Sequence, residues 1–125
     1  IQQTANVSPA SGGMTASASV NRIRFGEHPG KTRMVLDLSG ESAYRADINN
    51  NERVLMIELD NADWDVARRE IMQHPLVAGY SAQPSQAGGT ILALKLKKPV
   101  RIVGSAALKP NDSRGHRIYL DLASG

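Results

Sequence analysis

Apolar and polar residues alternate with a period of two through most of the chain. The pattern is clearest at residues 31–38 (KTRMVLDL), where Met34, Leu36 and Leu38 fall on one side and Arg33, Val35 and Asp37 on the other. Successive side chains of a strand point to opposite faces, so this alternation predicts a strand with one face buried. Residues 19–25 set Ile23 and Phe25 against Arg22 and Arg24, and residues 43–48 set Tyr44, Ala46 and Ile48 against Arg45 and Asp47. Residues 53–59 place Leu55, Ile57 and Leu59 inward. Further strands are predicted at 76–83, at 90–97 with Leu92, Leu94 and Leu96 inward, at 100–108, and at 116–122. In the last of these Ile118, Leu120 and Leu122 point inward and Arg117, Tyr119 and Asp121 outward. His28-Pro29-Gly30, Asn49-Asn50-Asn51, Gly88-Gly89 and the loop from Pro110 to Gly115 supply turn chemistry between them.

Two stretches depart from the alternation. Residues 1–17 have no sustained period and read as a flexible tail or linker before a domain at 18–125. Residues 61–73 carry Trp64, Ala67, Ile71 and Met72 at near-helical spacing, with Asp63 able to cap the start and His74-Pro75 to end it. They predict one short connecting helix, tied to the rest of the domain by Trp64.

The two halves, about 19–60 and 76–123, read as one unit written twice. Residues 32–38 lie over 90–96, and residues 55–59 over 118–122. Two four-stranded units, each with one apolar face, can cover those faces by packing together. The expected fold is therefore all-β: a sandwich of two pseudo-symmetric sheets of about four strands each, with one short helix.

The run IRFGEHPGKTRMVLDL at 23–38, followed by RVLMIEL, then by LKKPVRIVGSAALKP and GHRIYLDL, resembles the AMIN domain over roughly residues 19–123. That resemblance implies a β-sandwich that localises its parent protein by binding peptidoglycan in the bacterial periplasm. The module sits in N-acetylmuramoyl-L-alanine amidases and in pilus secretins, and an amidase is the favoured parent here. The family motif maps onto Arg33 and Asp37, with Thr32 beside them, and Glu58 stands where many members carry Asp. Arg117, Tyr119 and Asp121 repeat the charged and aromatic pattern on the last strand. These six residues are the candidate peptidoglycan contacts. A guanidinium offers a planar fork of donors to stem-peptide carboxylates, and Asp accepts from sugars or amides. From the charges alone, the plainer account is a solvated strand face with a cross-strand ion pair. Tyr119 could stack on a sugar or cover a neighbouring strand, and the second is favoured.

Composition narrows the function classes. Hydrophobic residues make up 41% and aromatics 4%, so a globular fold with an aliphatic core is expected. The net charge of +3 is spread among acids, without the aromatic series that stacks bases, which argues against nucleic acid. An anionic polymer or carboxylate-rich partner suits a mild positive charge. With no cysteine, and with His28, His74 and His116 far apart, no metal or cofactor is expected. No apolar run reaches the roughly 20 residues of a membrane helix. Strand parity puts Asp37, Glu58 and Asp121 on open faces, so the chain is read as non-catalytic. Two further readings stand beside the peptidoglycan module: an adaptor that docks cell-division or pilus proteins through a sheet edge, and a structural spacer.

Overall fold

Ten strands form in a computed structural model that describes residues 18–86 and 88–125. They are β1 (Ala18–His28), β2 (Lys31–Leu38), β3 (Tyr44–Asn49), β4 (Val54–Leu59), β5 (Ala62–Trp64), β6 (Arg69–Ile71), β7 (Val77–Pro84), β8 (Thr90–Leu96), β9 (Val100–Leu108) and β10 (His116–Ser124). The tail expected at 1–17 lies outside the described residues.

The strands make two five-stranded sheets, ordered β5-β1-β2-β10-β9 and β3-β4-β8-β7-β6. Every pairing is antiparallel except β1 with β5. Replacing β1, β2, β10 and β9 by β7, β8, β4 and β3 converts the central order of the first sheet into that of the second. The repeat is thus visible in the topology, but the halves do not each form a sheet. Each sheet joins one hairpin from the first half to one from the second. Two hairpins side by side present a broader apolar face than either alone.

The core lies between the sheets. Met34, Leu36, Leu55, Ile57, Leu59, Leu92, Leu94, Leu120 and Leu122 are wholly buried, at 0% exposure. Each such side chain contributes roughly 1.5–3 kcal/mol relative to an exposed one. The β1–β2 connection is the two residues Pro29-Gly30, with Gly30 at φ 77°. Proline followed by a positive-φ glycine is the residue order of a type II turn.

The sandwich is as expected, with two corrections. Each sheet has five strands, not four, and residues 61–73 form no helix. Ala62 and Trp64 are buried around exposed Asp63, a period of two, so this stretch extends the first sheet as β5. Trp64 does anchor it, donating from Nε1 to the Ala67 carbonyl at 2.8 Å and meeting Tyr80 edge-on. Arg69–Ile71 then pairs with β7 at the edge of the second sheet. Ile71, placed on an apolar helix face by its spacing, is 88% exposed. Pairing with β1 and β7 satisfies backbone groups that a short helix would leave open at both ends.

Candidate functional site

Strand parity sends Lys31, Arg33, Val35 and Asp37 of β2 to the outer face of the first sheet. Register decides which side chains meet there. Arg22 of β1, Asp37 and Arg117 of β10 are aligned across three strands. Arg24, Val35, Tyr119 and Ala106 form the next outer row, and Gly26, Arg33, Asp121 and Gly104 the one after.

Arg33 and Asp121, directly opposite, form a bidentate pair. Arg33 donates from Nε to Oδ1 at 2.8 Å and from Nη2 to Oδ2 at 3.0 Å. Lys31 Nζ adds a third donor to Oδ2 at 3.1 Å. The Asp121 side chain is left 4% exposed, although it belongs to a solvent-facing row. A Cβ on Gly104 would sit 3.3 Å from Oδ2, so the missing side chain there gives the carboxylate its room. The bonds from Arg33, assisted by Lys31, hold the Asp121 carboxyl down at about 2 against the opposing cost of burial. The Arg33 guanidinium lies 4.1 Å from the Tyr119 ring centre, a cation–π contact. A second bidentate pair runs from Arg24 Nε and Nη2 to the two oxygens of Asp37, both at 2.8 Å.

Five of the six expected residues therefore share one face: Arg33, Asp37, Arg117, Tyr119 and Asp121. Thr32 lies on the other side, 2% exposed. Its hydroxyl donates to Glu27 at 3.1 Å, and Glu27 also bonds His74 Nε2. The His74 contact, foremost, lowers the Glu27 carboxyl from its ordinary value. The equivalent threonine of the second half, Thr90, is likewise 2% exposed and donates to the Ala62 carbonyl at 2.7 Å. These matched threonines serve the sheet interior.

Sequence reasoning missed Lys31 and Gly104 and left the partners of Arg24 and Arg33 open. Burial of Asp121 had no signal in parity; it follows from Arg33 opposite and Gly104 alongside, which only register reveals. The Arg33 guanidinium lies over the Tyr119 ring, so one ring face is already occupied.

The outer face of the second sheet differs. Arg45 pairs with Glu58 at 2.7 Å, and beside them stand Ile91, Ala93 and Met56, the last 41% exposed. An open hollow of about 470 Å³ on that sheet is lined by Arg68, Arg69, Ser81, Ala82, Gln83 and Pro84. None of the expected site residues lines it. Among the described residues no cluster of His, Asp and Glu could hold a metal ion, and no helix is long and apolar enough to cross a membrane.

The chain is thus an all-β sandwich with two hairpins in each sheet and a face of clamped arginines on the first. The AMIN domain family model matches residues 13–58, the stretch that contains all of β1, β2 and β3 and most of β4. That match bears out the resemblance over these residues. AMIN domains are non-catalytic modules that bind peptidoglycan and localise envelope proteins. No curated protein matches the chain significantly.

Proposed function

We propose that this chain is a non-catalytic targeting module that holds its parent protein on peptidoglycan in the periplasm, through the outer face of the first sheet. One observation supports this above others. Arg33 and Asp37, inside the segment matched by the AMIN model, share a face with Arg117, Tyr119 and Asp121 from the other half of the chain. A donor-rich sheet face suits an extended polymer better than a small molecule, which needs concavity. The parent we favour is a zinc-dependent N-acetylmuramoyl-L-alanine amidase, whose catalysis would reside in a separate domain.

Co-sedimentation with purified sacculi tests the reading. The chain should pellet with sacculi, and Arg33→Ala should cut the bound fraction about tenfold, equivalent to roughly 1.4 kcal/mol. Failure of the folded wild-type chain to pellet contradicts the proposal.

One feature favours a second reading, an adaptor for cell-division or pilus-secretin proteins. β9 is a nine-residue edge strand with no charged residue from Ile102 to Leu108. An edge of that kind can accept an extended segment of a partner. Capture of such a protein without peptidoglycan, lost on Ser105→Pro, would support it.

A further inference from the structure

We infer that the first sheet's outer face selects free carboxylates of the stem peptides rather than the glycan itself; this rests on the peptidoglycan reading above. The inference comes from the disposition of donors and acceptors. On β1, β2 and β10, Arg22, Arg24, Lys31, Arg33 and Arg117 bring five cations to the face, against two carboxylates, Asp37 and Asp121.

Both carboxylates are already engaged. Each oxygen of Asp37 takes a bond from Arg24, and each oxygen of Asp121 takes one from Arg33, with Lys31 added. Asp121 is also sealed from solvent at 4% side-chain exposure. The donors are not used up. Arg24 and Arg33 both spend Nε and Nη2 on their partners, which leaves Nη1 on each. Arg117 makes a single long bond, from Nε to the Gly115 carbonyl at 3.4 Å, and neither it nor Arg22 joins an ion pair among the described residues.

A sugar hydroxyl both donates and accepts, so glycan recognition calls for acceptors as well as donors. Here the acceptors serve to hold the arginines in place. Tyr119, the natural stacking platform, has Arg33 on its ring. What remains is the Nη1 edges of the held Arg24 and Arg33 beside Arg22 and Arg117, which join no ion pair among the described residues; the planar fork of a guanidinium matches a carboxylate. In peptidoglycan, carboxylates belong to the stem peptides. A phosphate polymer attached to the wall would offer related chemistry, and the test separates the two.

Sacculi stripped of phosphate polymers are divided; one portion is amidated with carbodiimide and ethanolamine, the other mock-treated. The 125-residue chain is titrated against both. Binding to amidated sacculi should be at least tenfold weaker. Arg22→Ala and Arg117→Ala, which break no ion pair, should each weaken binding to the mock-treated portion severalfold and leave residual binding to the amidated portion unchanged. Equal binding to both portions overturns the inference while peptidoglycan targeting stands. Binding that vanishes on stripping, before amidation, overturns it in favour of phosphate. Absence of binding to stripped and unstripped sacculi alike removes the targeting reading, and the inference with it.

Discussion

The outer faces of the two sheets hold equivalent positions in the topology and present different chemistry. Where the first sheet sets Arg33, Tyr119 and Asp121 together, the repeat places Ile91, Met56 and Glu58 in the second. Glu58 keeps an arginine, but takes it from β3 as Arg45 and not from the strand opposite. The inner faces show no such divergence. Leu36 and Leu94, Thr32 and Thr90, Leu59 and Leu122 match in residue class and in burial. Interior positions must fill a shared core at close-packed density, so they are held alike. Outer positions need not fill the core and are freer to specialise, and that is where a binding function can be placed.

The largest effect should confirm that the interiors are equivalent. Leu36→Ala and Leu94→Ala, both at fully buried sites, should each cost about 2–5 kcal/mol in denaturant unfolding. A cost confined to one sheet would show that the core is not shared evenly.

A smaller effect should separate the outer faces. Asp121→Asn removes the buried charge and turns one of the two oxygens that accept from Arg33 and Lys31 into a donor, and should destabilise by about 2 kcal/mol at neutral pH. The sign with pH follows from the lowered value. Asp121 sits at about 2, below its ordinary 3.8, so its contribution is complete above pH 3.8 and fades as pH falls towards 2. Thermal melts of wild type and variant should converge across that interval. Glu58→Gln, on the more open second face, should cost under about 1 kcal/mol. Equal losses would erase the distinction between the faces.

The smallest change in stability, and the sharpest comparison, comes from transplanting one face onto the other. Ile91→Arg with Met56→Tyr rebuilds the first sheet's constellation opposite Glu58. Stability should change by less than about 1 kcal/mol, because both positions face outward. Sacculi should then retain more of the variant than of wild type. Unchanged retention would mean that these three residue types do not suffice, and that Arg22, Arg24 and Arg117 carry the binding.

Much of this was legible in the chain. Alternation located eight of the ten strands and assigned inward and outward residues, because a sheet with one buried face forces that pattern. The stretch from Asn61 to Gln73 was misread because Trp64, Ala67 and Ile71 happen to recur at helical spacing. Their burial differs widely, from 5% at Trp64 to 88% at Ile71, and periodicity does not report burial. For the site, parity found the face but register made it. Arg33 meets Asp121 across 88 residues of sequence, a pairing that no local pattern encodes. Thr32 is the converse case: it shares parity with Met34, so its buried position was legible in the alternation, yet the family motif set it beside Arg33 as a candidate contact. The interleaving of the two halves was also hidden, since a repeat shows equivalence and not which strands become neighbours.

The most direct test of the central claim is a backbone-amide NMR titration of the chain with soluble muropeptides that keep their free carboxylates. The account predicts shifts concentrated on β1, β2 and β10, around Arg22, Arg24, Arg33, Asp37, Arg117 and Tyr119, with β4 and β8 unmoved. Shifts confined to the second sheet or to the β9 edge, or no shifts at saturating muropeptide, would contradict it.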